Sequence, residues 1–252
     1  MKYVGITETY DPCFVPDWET KLLEANVVIS KELSDEMVEK LLIVQNRVIF
    51  HHTVTGQGGS VLEPNVKTPE HEFEQFKKLA ERGFDTTHYV LRLDPIVLLN
   101  KECQDNIYKV LDMWSGYAKE HGIVLRCRVS VVDLYPHAVT RMRNKGVNLL
   151  WKSFKAPTSV FHRTEYILGK YTEWFHFESC AETDLTADFI DKRGCVSYKD
   201  LRLLNIKDAQ YIAPLTKQRE NCMCLAKRQI LGIRPRRCPH GCLYCFWEDS
   251  SL

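Results

Sequence analysis

The stretch Cys238-Pro-His-Gly-Cys242-Leu-Tyr-Cys245 sets three thiols at a CxxxCxxC spacing, with an aromatic residue just before the last one. Thiolates so spaced can ligate three corners of a 4Fe–4S cubane and leave the fourth iron without a protein ligand, open to a substrate. Seven of the ten cysteines lie between Cys180 and the end of the chain. The four outside the motif, Cys180, Cys195, Cys222 and Cys224, are enough to close a second site, either another 4Fe–4S cluster or a structural zinc. The same thiols allow another partition. Two of the CxxxCxxC cysteines can join Cys222 and Cys224 in a closed zinc knuckle, although zinc ribbons favour paired CxxC spacings. Cys13, Cys103 and Cys127 are scattered and read as buried thiols that behave as small hydrophobes.

Ligands of this kind need a scaffold. Apolar, β-rich runs at 2–7, 26–30, 47–55, 88–93, 123–132 and 174–178 read as strands, and segments of helical periodicity at 17–24, 34–44, 69–82, 101–121 and 136–145 fall between them. Ser34 and Thr68 are placed to cap helices, and Gly83, Gly122 and Gly146 to stop them. The βαβα alternation predicts a parallel sheet, as an α/β partial (βα)6 barrel over residues 1–180 with a cysteine-rich tail over 181–252; an open doubly wound sheet is the alternative. With 44% hydrophobic residues in 252, the chain can bury a full core.

Polar residues collect just past the strand ends: Thr7 and Asp11, Ser30 and Lys31, Thr53, Thr55 and Gln57, Arg92 and Asp94, Ser130 and Asp133, then Glu178 and Cys180. In a βα barrel those positions share one mouth, where active sites are built. Thr53, Thr55, Arg92 and Asp94 are thereby the candidates to hold a cofactor or substrate, Arg92 through its planar fork. A structural Arg92–Asp94 ion pair is the alternative. Gly56-Gln57-Gly58-Gly59 lacks phosphate-loop spacing and reads as a tight turn. His51 and His52 occupy adjacent strand positions and must face opposite sides, one of them a satisfied core histidine.

The net charge of +1 draws the whole protein to no polyanion, but Lys217, Arg219, Lys227, Arg228, Arg234, Arg236 and Arg237 against Glu220 make the tail locally basic. The amino terminus lacks a signal-peptide pattern and no run is long enough to span a membrane, so a reducing, cytoplasmic setting is expected, where ten cysteines point to metal ligation rather than disulfides.

The CxxxCxxC motif with Tyr244 resembles that of radical-SAM enzymes. The resemblance implies that S-adenosylmethionine chelates the open iron, that Tyr244 lies against its adenine, and that an electron donor such as ferredoxin or flavodoxin serves the cluster. Further pieces, Tyr10-Asp11-Pro12 with Trp18, the block from Thr53 to Gly59 with Leu62-Glu63-Pro64-Asn65-Val66, Arg92-Leu93-Asp94-Pro95, and Gln218-Arg219 with Cys222-Met223-Cys224 ahead of the motif, resemble a radical-SAM-related family, domain of unknown function 1848. The Leu62-Glu63-Pro64 piece is also similar to a segment of spore photoproduct lyase relatives, which act on DNA. Three features depart from these patterns: the cysteine motif is carboxy-terminal instead of following the first strand, Thr7-Glu8-Thr9-Tyr10 stands where the family is arginine-rich, and the segment around Ser30-Lys31 is shorter than usual. The leading expectation is a radical-SAM enzyme acting on a nucleotide or nucleic-acid component. The rival is a zinc-stabilised nucleic-acid-binding module without catalysis.

Overall fold

The computed structural model describes residues 2–207, 210–213, 221–232 and 238–246. Its strands are β1 (Val4–Ile6), β2 (Asn26–Ser30), β3 (Val48–Thr53), β4 (Tyr89–Ile96), β5 (Leu125–Val131), β6 (Phe175–Ser179), β7 (Ile190–Lys192) and β8 (Lys227–Gln229). All pairings are parallel, and the eight strands form one open sheet in the order β7-β6-β5-β4-β3-β2-β1-β8. Helices α1 (Asp35–Val44), α2 (Pro69–Glu81), α3 (Lys101–His121), α4 (Pro136–Asn144), α5 (Thr158–Leu168) and α6 (Tyr198–Leu203) lie in the connections. An α/β architecture with a parallel sheet is what the alternation predicts.

Caps form where their residue types suggest. The Ser34 hydroxyl accepts from the Met37 amide at 3.2 Å, Thr68 accepts from His71, and Gly122 takes the left-handed conformation that ends α3. Three expectations need correction. The sheet has eight strands rather than six, because β7 and β8 are three residues each and mostly polar, too short to show a period. The 17–24 helix is a single 3-10 turn, Trp18–Lys21. An amide that would extend it is claimed from outside: in a helix the Leu23 N–H would bond the Glu19 carbonyl, but it donates instead to Asn26 Oδ1 at 2.8 Å, while Arg47 donates to the Leu22 and Leu23 oxygens at 2.8 Å. Helix α5 lies in a stretch where none was expected.

The sheet buries both faces, as an all-parallel sheet must. Val28, Phe50, Leu91, Cys127, Val129 and Phe177 pack against helix residues such as Met37, Phe76, Ile107 and Trp114. On the other face Val4, Ile6, Val27, Ile49 and Val90 join Leu201 of α6, Tyr211 and three cysteines in a second core. The two histidines divide as alternation requires. His52, on the helix side, meets the Tyr89 hydroxyl at 3.0 Å and Glu72 at 2.8 Å, whereas His51 faces the second core with neither ring nitrogen hydrogen-bonded.

Candidate functional site

Parallel strands bring their carboxy-terminal ends to one edge, and the Cys238–Cys245 loop is seated there by contacts from four connections, those after β1, β2, β3 and β5. After β1, Asp11 meets His240 Nε2 at 2.8 Å. After β2, Lys31 Nζ donates to the Tyr244 hydroxyl at 3.0 Å and to Glu63 Oε1 at 2.6 Å. After β3, the Leu62 carbonyl accepts from the Leu243 amide at 2.9 Å, the Asn65 amide donates to the Pro239 oxygen at 2.8 Å, and Glu63 accepts from the Tyr244 hydroxyl. From α4, beyond β5, the fully buried Arg141 donates to the Leu243 oxygen at 3.1 Å and to that of Cys245.

Asp11 is the pivot of this seat. Its two oxygens accept from the Ser30 hydroxyl (2.6 Å), the Lys31 amide (2.7 Å), the Cys13 amide (3.1 Å) and His240. Burial opposes its ionisation, but these donors outweigh burial and hold its carboxyl below the usual range. Asp11, Cys13 and His240 are grouped closely enough to suggest a metal site. The carboxylate's oxygens are already taken, so the group reads as an anchor for the loop. Glu63 likewise stays ionised against burial because Lys31 lies beside it.

A second constellation lies on the inner face of the sheet. Cys180 directly follows β6, Cys195 follows β7 and Cys224 precedes β8; all three are buried, their sulfurs lie within 4.8 Å of one another, and the Cys180 and Cys224 sulfurs are 3.9 Å apart. Gly194 makes this possible: a Cβ there would stand 2.6 Å from the Met223 oxygen and 2.8 Å from the Cys224 Cα. The 194–196 and 223–225 segments therefore run in contact, closed by the Leu225 amide on the Val196 oxygen at 3.0 Å. A zinc ion with bonds of about 2.3 Å to thiolates sets its sulfurs roughly 3.8 Å apart, so the triad can hold a single metal ion.

Beside the triad, strand register lines up Thr53, Arg92, Arg128 and Glu178 across β3 to β6. Glu178 is fully buried and accepts from Arg128 Nη2 at 2.7 Å, from Arg126 at 3.1 and 3.2 Å, and from Lys199 at 2.9 Å. Burial works against its charge, yet Arg128 and Arg126 pull its carboxyl down to about 2. Arg126 also donates to Asp200 at 2.8 Å. Arg92 donates through Nε to Asp94 at 2.7 Å, and Asp94 also accepts from Ser130.

The structure therefore groups three of the four cysteines expected in the second site. Cys222 is not among the residues that come within 4.8 Å of one another, and Cys224 sits with Cys180 and Cys195 rather than with Cys238, Cys242 or Cys245, so the knuckle partition does not form. The three motif thiols do not converge to 4.8 Å either. Tyr244 and Thr55 are buried around Glu63, Thr53 is buried in the inner row, and Arg92 and Asp94 are paired with each other. Cys103 and Cys127 are buried thiols as expected, while Cys13 sits half-buried beside Asp11. Lys227 is paired with Glu8; Lys217, Arg219, Glu220, Arg234, Arg236 and Arg237 lie outside the described residues. Sequence reasoning named Asp11, Lys31 and Glu63 but not their anchoring role, and missed Arg141 and the Arg126–Arg128 pair. The last had a signal: two arginines at period two in the otherwise apolar Leu125–Val131 strand must share a buried face.

No helix is long and apolar enough to cross a membrane among the described residues. A family model described as a domain of unknown function, number 1848, matches residues 10–247, which include every motif that carries the resemblance. No curated protein matches the chain.

Proposed function

This chain belongs to the family of domain of unknown function 1848, and we propose that it is a radical-SAM-type iron–sulfur enzyme with Cys238, Cys242 and Cys245 as ligands of a 4Fe–4S cluster. The observation that carries this reading is the seat of the cysteine loop, clamped by Asp11, Lys31, Glu63 and Arg141 onto the carboxy-terminal edge of a parallel sheet, where βα folds place their chemistry.

A TIM-like barrel is the proposed form of the sheet. Strands β1 to β7 follow one another in order with β8 beside β1, and the Cys180–Cys224 contact and the Leu225–Val196 hydrogen bond bring the two ends of that order together. When bound, the cluster with S-adenosylmethionine supplies reductive cleavage to a 5′-deoxyadenosyl radical. The chain's own residues do the positioning. Lys31 and Glu63 fix the Tyr244 ring through its hydroxyl, Asp11 holds the His240 ring before Cys242, and Arg141 holds the backbone carbonyls after it. The Arg92–Asp94 pair and Thr53 face the inner row and are the proposed substrate contacts.

The buried triad of Cys180, Cys195 and Cys224 can bind a metal, and its spacing favours zinc over a second cubane. The purified protein should then carry roughly four irons and one zinc per chain. Ferredoxin or flavodoxin is the proposed electron donor, the cytoplasm the proposed compartment, and a nucleotide or nucleic-acid component the proposed substrate class. That last choice rests on the basic tail and the likeness of Leu62-Glu63-Pro64 to spore photoproduct lyase relatives. Anaerobic reconstitution with dithionite should yield 5′-deoxyadenosine and methionine, and Cys242→Ala should abolish it. Protein holding zinc but no iron would instead favour the zinc-stabilised nucleic-acid-binding module.

A further inference from the structure

Among the described residues, no fourth cysteine, histidine or carboxylate joins Cys180, Cys195 and Cys224 within 4.8 Å. Tetrahedral centres with three protein ligands are those that exchange the fourth, whereas structural zinc sites use four.

The surroundings say what kind of ligand suits that position. Arg92 and Arg128 both lie near enough to Cys195 for their charges to act on its thiol. Arg126 and Arg128 are buried, with Arg126 Nη1 and Arg128 Nε hydrogen-bonded to nothing although their other nitrogens hold Glu178, Asp200 and the Arg193 carbonyl. His51, in register with Val90 and through it with Arg126, is fully buried with both ring nitrogens unmatched. Leaving such donors unmatched is costly, and buried polar groups are as a rule satisfied. These groups lie on the inner face of adjacent strands, over the small Val90 side chain, on the same face as the thiol triad. Guanidinium N–H groups match the oxygens of carboxylates and phosphates in geometry and charge.

We propose that the Cys180–Cys195–Cys224 centre keeps an exchangeable fourth position that takes a small oxyanion, a carboxylate or phosphate, received by Arg128, Arg126 and His51. This rests on the reading that the triad binds a single metal ion. Arg128 and His51 are positioning residues for the incoming group and not metal ligands.

The test uses the full chain loaded with cobalt(II), whose thiolate charge-transfer and ligand-field bands report the coordination sphere. Loss of part of the charge-transfer band in Cys224→Ser identifies the triad as occupied; its absence in wild type overturns the metal reading and this proposal with it. With cobalt bound, acetate and inorganic phosphate are titrated separately. The expected result is a saturable shift of the ligand-field bands by at least one of them, the two arms telling carboxylate from phosphate. Arg128→Lys, or His51→Ala if that variant folds poorly, should weaken the anion by about tenfold with cobalt content unchanged, the loss of one charge-assisted or buried hydrogen bond. Bands indifferent to both anions would overturn the proposal. So would a Cys222→Ser variant that loses as much charge-transfer intensity as Cys224→Ser, since Cys222 would then fill the fourth position.

Discussion

Replacing Glu63 by Gln keeps the shape of the side chain but leaves the Lys31 ammonium without its counter-charge at the seat of the cysteine loop. The separation of 2.6 Å gives an attraction of about 6 kcal/mol at an effective dielectric constant of 20. Desolvation of the two ions offsets much of it in the wild type, but not in the single variant, where removing one partner of a buried pair costs about 3–5 kcal/mol. Glu63→Gln and Lys31→Met should each lower the urea-unfolding free energy by that amount, and the double variant should recover at least half of the summed loss. Where the loop undocks without global unfolding, the same energy should appear as faster alkylation of the buried Cys242 thiol. The pH dependence follows from the direction of the Glu63 shift, below its ordinary value of 4.5. Its stabilisation is complete above that value and is lost as pH falls through the lower folded value, so wild type should be more acid-sensitive than Glu63→Gln. Single losses below about 1 kcal/mol that simply add in the double variant, with unchanged alkylation, would refute this account of the seat.

Gly194→Ala should cost the triad at least tenfold in zinc affinity, read by competition with a chromophoric chelator, because the new Cβ would sit 2.6 Å from the Met223 oxygen; unaltered affinity would show that the two segments need not touch. Glu178→Gln leaves Arg126, Arg128 and Lys199 crowded around a neutral amide and should destabilise the fold by about 3–5 kcal/mol in urea, an outcome contradicted by a loss under 1 kcal/mol. Stripping metal with a chelator should lower the melting temperature of wild type by more than that of Cys224→Ser, since a bound metal contributes folding energy only where its ligands are present and the variant keeps only those of the proposed cluster.

Much of this protein is written in local pattern. The Lys101–His121 helix is legible to the residue, because amphipathic periodicity and the Gly122 stop act within a few positions. Alternation alone sends His51 and His52 to opposite faces, and the CxxxCxxC spacing alone nominates its three thiols. What only the tertiary structure decided depends on pairings between distant segments, which local propensity does not encode. Strands β7 and β8 exist because β6 and β1 offer them an edge, and the 17–24 segment stops at one turn because the Asn26 side chain takes the Leu23 amide that would continue it. The choice of Cys224 over Cys222, two positions away, was made by the close approach that Gly194 allows. The anchors Asp11, Lys31, Glu63 and Arg141 look like ordinary loop and helix charges until the chain's far end returns to them. Their partners are up to 229 residues away, and closure over such a distance is settled by the whole fold.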